Sequence, residues 1–281
     1  MDLKKLHVIP ESFPAVVAAV TTYTDIITKT IAAFPQVFSD TLDERPMCTE
    51  SMKIYLKENA VPYRVSAPRP IPLRFQGPAN SEIEKYIKSG IITPCDKPTD
   101  WCSPAFFVPK GDGKRVRLVT DYTKLNKFVI RPVHPFPSVS DIVQSIPANS
   151  RCFAKLDATH GYFQIPLSEE ASQLTTFLLP SGRYRYLHAP MGLSSSSDEW
   201  CRHSDRVVEG FPWCKKIVDD ILIWAPNIQD LEERLHAGSP DVTSCTSLFP
   251  VASSILLLLY PLLAALSRTR GFSQILPASQ L

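Results

Sequence analysis

Two adjacent acids, Asp219 and Asp220, lie between short apolar runs in the segment Lys-Lys-Ile-Val-Asp-Asp-Ile-Leu-Ile-Trp. Neighbouring carboxylates repel each other unless a cation lies between them, so this pair in an apolar setting indicates a metal site. A third acid, Asp157, ends an alternating run that starts at Cys152. A strand ending in this acid, paired with a hairpin that bends at the other two, predicts three carboxylates at one point.

An oxygen-rich, partly hydrated site of this kind suits Mg²⁺ completed by substrate phosphates. Two such ions stabilise the attacking and leaving oxygens of an in-line displacement, so the predicted chemistry is nucleotidyl transfer. The alternative is simpler, because an Asp-Asp pair in a turn is most often solvated turn chemistry. The order of the other motifs decides between these two interpretations.

A basic hairpin is predicted around the turn sequence Gly111-Asp-Gly-Lys114. Alternation in its second arm places Arg115 and Arg117 on one face, with Lys110 across the turn. Such a cluster of cations suits a polyphosphate. A solvated, charged hairpin would have the same pattern.

Composition narrows the class of protein. The 281 residues allow one large domain or two ordinary ones, and the net charge of +2 is too small to require a nucleic-acid partner. The seven cysteines include no Cys-x-x-Cys pair, which disfavours a zinc site or a disulfide framework. Charged residues and prolines interrupt the apolar amino terminus, so no signal peptide is predicted. We therefore expect a cytoplasmic or nuclear protein that is not secreted.

Three helices are predicted from local patterns. An apolar stretch from Phe13 to Phe34 favours the first. The second follows a Pro/Arg-rich extended segment, with Ser81 as N-cap, and ends at Gly90. The third runs from Asp198 to Val208 after a run of serines that is expected to form a turn and cap.

Five motifs occur in a fixed order between Pro62 and His236. They are Pro109-Lys-Gly-Asp-Gly-Lys, Arg117-Leu-Val-Thr-Asp-Tyr-Thr-Lys-Leu-Asn126, Leu156-Asp-Ala-Thr-His-Gly-Tyr-Phe-Gln-Ile-Pro-Leu167, Pro190-Met-Gly-Leu193 and Val218-Asp-Asp-Ile-Leu222. In this order and spacing the chain closely resembles the reverse transcriptase of gypsy-type long-terminal-repeat retrotransposons.

The resemblance implies metal-binding and triphosphate-binding residues. Asp157, Asp219 and Asp220 would be the catalytic carboxylates of the palm and would hold two Mg²⁺ ions, with Mn²⁺ as an alternative. Lys110 and Arg117 would hold the incoming deoxynucleoside triphosphate (dNTP). The basic hairpin is then interpreted as functional.

The resemblance also implies further dNTP-binding positions. His160 and Gly161 fall where backbone amides of the family approach the phosphates. Tyr162 occupies the aromatic sugar-gate position, where a bulky ring would collide with a 2′-hydroxyl. Met191 lies in the segment that lines the nucleotide and template pocket, where retroviral relatives carry Gln.

The implied fold is α+β: a right-hand polymerase with fingers and a palm, in which helices back a short antiparallel sheet. The thumb is expected to be absent, because the resemblance stops at His236. The expected organisation is an N-terminal lead-in or linker (1–60), fingers (61–150), palm (151–236) and an unrelated apolar tail (237–281).

The apolar tail allows two interpretations. Its run at 248–266 approaches the length of a membrane span, although Pro250 and Pro261 interrupt it. An altered reading frame or a spurious exon would produce the same change of composition. In either interpretation, residues 248–266 lie outside the part of the chain that resembles a reverse transcriptase.

The predicted function is RNA-directed DNA polymerase, a nucleotidyltransferase that extends a primer on an RNA or DNA template with dNTPs. The alternative is an inactive retroelement remnant that binds nucleic acid or a partner protein. The presence of all three acids together with both hairpin cations favours the enzyme.

Overall fold

The computed structural model describes residues 14–35, 38, 47, 49–111, 113–135, 137–158, 161–217, 220–237 and 252–259. At positions 139, 157, 207, 217 and 237 and along 14–23 and 252–259 the description covers the backbone only. The helices are α1 Pro14–Ala33, α2 Gln76–Lys88, α3 Thr123–Asn126, α4 Val139–Ser145, α5 Glu169–Leu174, α6 Ser194–Val208 and α7 Ile228–Ala237. Two 3₁₀ turns span Leu73–Phe75 and Gly161–Gln164. The strands are β1 Ile92–Pro94, β2 Ser103–Pro109, β3 Val116–Thr120, β4 Cys152–Ala158, β5 Phe177–Leu179, β6 Gly182–Tyr186, β7 Cys214–Ile217, β8 Asp220–Ala225 and β9 Ala252–Leu259.

The described strands form two sheets. One has five strands in the order β1-β6-β5-β2-β3, and the other has four in the order β7-β8-β4-β9. All the pairs are antiparallel except β2 with β5. Helices pack beside both sheets, as in the contacts of α2 with β3 and of α7 with β8. The predicted α+β fold is confirmed.

The five-stranded sheet has the larger apolar core. Rings from three of its elements meet there: Phe177 packs 5.1 Å from Tyr186, measured between ring centroids, and Tyr86 of α2 packs edge-on against Phe163. Burial raises the pKa of Tyr186 to about 12, so its hydroxyl stays neutral at physiological pH. A separate small cluster packs α2 on the β2–β3 hairpin, where Ala79 meets Val116.

The β2–β3 hairpin forms as the sequence predicts. Its strands pair from Ala105 opposite Thr120 to Pro109 opposite Val116. Gly113 adopts a φ of +64° in the turn, a left-handed conformation that glycine adopts without a steric penalty. The turn chemistry therefore sets the register of the hairpin.

Two helices begin earlier than predicted. Helix α2 starts at Gln76, five residues before the predicted cap Ser81, because Pro78 lies in the first turn, where no backbone N–H is needed. Helix α6 starts at Ser194 and not at Asp198, so the serine run is helical. Helix α1 agrees with its predicted apolar stretch.

The apolar tail contributes a strand. Backbone positions 252–259 pair with β4 along its whole length, from Leu259 opposite Cys152 to Ala252 opposite Ala158. Strand β4 therefore has a neighbour on each side. Among the helices in the described ranges, none is both long and apolar enough to cross a membrane.

Met47 and residues 49–57 pack against the chain after the Gly161–Gln164 turn and against the chain after α3. Met47 donates its N–H to the Gln164 carbonyl (2.8 Å), and Met52 forms a parallel bridge with Leu167. Thr49 Oγ1 lies 2.9 Å from Nδ1 of His203, which is buried on α6. Part of the predicted linker is thus packed, and we call residues 49–57 the strap.

An acid on α6 supports the histidine that holds the strap. Glu199 lies 3.2 Å from His203 Nε2 and is hydrogen-bonded by Arg202. The His203 hydrogen bond, followed by that of Arg202, lowers the Glu199 pKa to about 2. Its ordinary value is 4.5, so the ionised carboxylate stabilises the folded state.

We predict that Glu199→Gln weakens the acid sensitivity of folding. Because the folded pKa is depressed, the stabilisation is present above about pH 4.5 and is lost as the pH falls towards about 2. The native chain should lose roughly 3 kcal/mol through this group over that range, and the variant should lose much less. Urea unfolding at a series of pH values measures this, with the exposed Glu84→Gln as control. Parallel pH profiles for native chain and variant would contradict it.

Candidate active site

Strands β4 and β8 bring two of the three predicted acids to facing positions. In their antiparallel ladder Asp157 is opposite Asp220, at the end that leads into the β7–β8 turn. Asp219, in that turn, lies outside the described residues, as does His160. The register thus places two of the three acids opposite each other, and the convergence of all three stays a prediction.

A lysine that the sequence analysis missed lies beside Asp220. Lys155 Nζ is 2.8 Å from Asp220 Oδ2, and the Asp220 side chain is 32% exposed. Lys155 is two residues before Asp157 on β4, and strand positions two apart share a face. That two-residue spacing was the sequence signal for this contact.

The acids fit a divalent cation by their chemistry. Their carboxylate oxygens are the ligands that hard divalent ions prefer, and Asp220 already attracts a cation, the Lys155 ammonium. The fully described side chains contain no cluster of three metal-ligating groups, since two of the three acids are not among them.

The hairpin cations lie on one face of β2–β3. Arg117 is opposite Val108, and the Lys110 N–H donates to the Arg115 carbonyl at 2.8 Å. Positions 108 and 110 share a face, so Lys110, Arg115 and Arg117 lie together as predicted. Lys110 Nζ is 4.0 Å from Glu82 of α2, which steadies the lysine on the hairpin.

Gly161 and Tyr162 follow β4 and pack on α6. A Cβ built on Gly161 would lie 2.8 Å from an indole carbon of Trp200, so only glycine fits there. The Tyr162 ring packs edge-on against the same indole at 6.3 Å, and its hydroxyl is 3.4 Å from that of Ser197. Trp200 therefore positions Gly161 and Tyr162, two of the predicted dNTP-binding residues.

Met191 lies in an exposed turn that one asparagine holds. The Asn126 side chain donates to the Gly192 carbonyl (2.8 Å) and accepts from the Ser194 N–H (2.9 Å). Gly192 has a φ of +87°. Asn126 thus links the end of α3 to the Met191 turn, a long-range cap that local sequence patterns do not reveal.

The first turn of α6 contains buried serine hydroxyls. Those of Ser194, Ser195 and Ser196 have no hydrogen-bond partner within the part of the chain that the structure describes. A buried hydroxyl without a partner destabilises the fold.

Comparisons with known proteins agree with this geometry. Residues 108–239 match the family model described as reverse transcriptase (RNA-dependent DNA polymerase). The retrovirus-related Pol polyprotein from transposon opus of Drosophila melanogaster is 27% identical over 72% of this chain and 20% of the polyprotein. That from transposon gypsy of the same fly is 33% identical over 54% of this chain and 15% of the polyprotein. The chain therefore spans a fifth or less of these relatives.

Solved structures share the fold. The prototype foamy virus protease–reverse transcriptase matches with a TM-score of 0.65 at 20% identity, over 80% of this chain and 29% of that chain. A foamy viral protease–reverse transcriptase in complex with an RNA/DNA hybrid matches with a TM-score of 0.63 at 16% identity, over 75% of this chain and 29% of that chain. Fold and family match together define a reverse transcriptase domain. The Pol polyprotein relatives support a domain of the retrotransposon type, which confirms the resemblance. Reverse transcriptases depend in general on a divalent metal.

We predict that Gly161→Ala destabilises the chain by about 1–3 kcal/mol, because the new methyl group would overlap the Trp200 indole. Gly77→Ala is the matched control: it lies in α2 with open space around its Cβ position, and alanine favours helix. Its stability should be unchanged or slightly higher. Urea unfolding compares the two, and equal effects would contradict the packing argument.

Proposed function

We propose that this chain acts as an RNA-directed DNA polymerase that adds dNTPs to the 3′-hydroxyl of a primer on an RNA or DNA template. The observation that carries the proposal is the β4–β8 register, which sets Asp157 opposite Asp220 within a reverse transcriptase domain. A related protein of the same fold was solved with an RNA/DNA hybrid, which supports a template-primer duplex as partner.

In this proposal Asp157, Asp219 and Asp220 hold two Mg²⁺ ions, with Mn²⁺ as the alternative. When bound, such ions lower the pKa of the primer hydroxyl and neutralise charge on the phosphates. The stiff strand positions of Asp157 and Asp220 keep the carboxylates in place, so little reorganisation is needed during reaction. Lys155 neutralises part of the repulsion between the acids.

The remaining residues would orient the nucleotide. Lys110 and Arg117 share a hairpin face and would hold the triphosphate, for which Arg supplies bidentate hydrogen bonds. Tyr162, held edge-on by Trp200, would select deoxyribose by excluding a 2′-hydroxyl. The backbone at His160 and Gly161 would approach the phosphates, and Met191 would line the nucleotide pocket.

We predict that Asp220→Asn reduces primer extension by at least about 100-fold, because one ligand of the metal site is lost. Extension of a labelled primer by the full chain with dNTPs and Mg²⁺ measures this. Asp100→Asn, which removes an exposed loop carboxylate, is the control and should extend normally. Near-native synthesis by Asp220→Asn would contradict the metal assignment, and no synthesis by the native chain would favour the inactive remnant.

We predict that Lys155→Gln lowers the Mg²⁺ concentration needed for half-maximal activity several-fold. The ammonium 2.8 Å from Asp220 competes with the ion for that carboxylate, and glutamine removes the competing charge. Lys215→Gln, an exposed position on the neighbouring strand β7, is the matched control. The shift in thermal unfolding temperature on adding Mg²⁺ gives a second readout, which should increase in the variant. If Lys155→Gln lowered the activity and left the Mg²⁺ concentration for half-maximal activity unchanged, the ammonium would not compete with the ion.

A further inference from the structure

A basic and aromatic face lies on the strap, outside the candidate active site. Burial alternates along residues 51–57: Met52 is buried, whereas Lys53, Tyr55 and Lys57 are exposed. Alternate residues of an extended chain share a face, so these three side chains lie in a row. The Tyr55 side chain is 62% exposed and has a lysine two residues away on each side.

Backbone hydrogen bonds fix this face to the chain that follows α3. The Lys57 N–H donates to the Phe128 carbonyl at 2.9 Å, and the Ile130 N–H donates to the Tyr55 carbonyl at 2.8 Å. An antiparallel bridge joins Leu56 and Val129 between them. We call this pair of segments, residues 53–57 and 127–131, the strap ribbon. It holds Tyr55 opposite Ile130, which is also exposed.

Further cations extend the strap ribbon. Lys57 Nζ donates to the Lys127 carbonyl at 3.0 Å, which brings two lysine residues together at one end. Lys124 lies on the adjoining helix α3, with its Nζ 5.8 Å from the centre of the Tyr63 ring. Lys124 and Lys127 thus add two cations on the part of the chain that pairs with the strap or leads into that pairing.

Acids also lie nearby. Glu50 and Glu58 are exposed on the strap side, at either end of the row. At Glu170, hydrogen bonds from its own amide and from Ser168 lower the pKa, and the charge of Lys53 adds to that effect. Glu50 and Glu58 thus lie at the two ends of the row, and Glu170 lies near Lys53.

We propose that the strap ribbon binds single-stranded nucleic acid, RNA or DNA, without sequence preference. The exposed Tyr55 ring offers a stacking surface that any base accepts, and the lysines on both sides would contact phosphates. A solvent-exposed ribbon with the Tyr55 ring between Lys53 and Lys57 suits a flexible single strand of nucleic acid. An acidic protein segment would use the lysines but would gain little from the ring.

Binding measurements test the proposal independently of polymerase activity. The full chain is titrated into fluorescently labelled oligouridine and oligothymidine of about 15 nucleotides, followed by anisotropy at several salt concentrations. The titration contains no dNTPs and no Mg²⁺, so it measures binding without catalysis. The outcome therefore does not depend on the proposed function.

Variants separate stacking from charge. Tyr55→Ala should weaken binding about five-fold or more, whereas Tyr55→Phe, which keeps the ring, should bind normally. The double variant Lys53→Gln/Lys57→Gln should reduce the slope of log affinity against log salt by about 1 to 1.5. Its matched control is Lys85→Gln/Lys88→Gln on α2, which removes the same charge from exposed positions. Circular dichroism and thermal unfolding confirm that each variant folds.

Two results would overturn the proposal. One is unchanged oligonucleotide affinity in Tyr55→Ala. The other is equal loss of affinity in the two double-lysine variants, which would show a general charge effect. Polyglutamate serves as a probe for an acidic protein partner. If polyglutamate binding depends on Lys53 and Lys57 while oligonucleotide binding does not, the ribbon is a protein-docking surface and the nucleic-acid proposal fails.

Discussion

The antiparallel ladder between β4 and β8 determines where the chemistry of this domain is placed. Side chains alternate along a strand, so a slip of one residue would move every side chain of β4 to the opposite face. Buried residues on both strands, such as Ala154 and Ile223, oppose such a slip because they pack into the apolar core of this sheet. The core thus holds Asp157 and Asp220 at facing backbone positions.

Electrostatics then shape the surroundings of the acids. Carboxylates held at facing positions would destabilise the fold without a cation, and Lys155 reduces that repulsion. A similar balance occurs on α6, where Arg131 makes two hydrogen bonds to the buried Asp198 and Lys216 contacts Asp205. These ion pairs, formed between distant segments, link α6 to the chain after α3 and to strand β7.

Much of the fold follows from local sequence patterns. The turn glycines around Gly113, the alternation leading to Asp157 and the bend between β7 and β8 are short-range signals, and the structure agrees with each. The starts of α2 and α6 were misplaced because their causes are less visible. Pro78 is accepted in a first turn, and the amide of Ser194 is capped by Asn126 from far along the chain. Lys155 and Trp200 act through tertiary contacts, so sequence alone gave them no role.

The Asn126 side chain joins the end of α3 to the turn that precedes α6. It bonds both to the Gly192 carbonyl and to the Ser194 amide, and its backbone ends α3 directly after the β2–β3 hairpin. Because this side chain is short and both of its hydrogen bonds are formed, a displacement of α3 also displaces the chain at Gly192 and Ser194. If the hairpin and α3 tilt, these two hydrogen bonds therefore move the Met191 turn with them, so that both parts of the chain shift together.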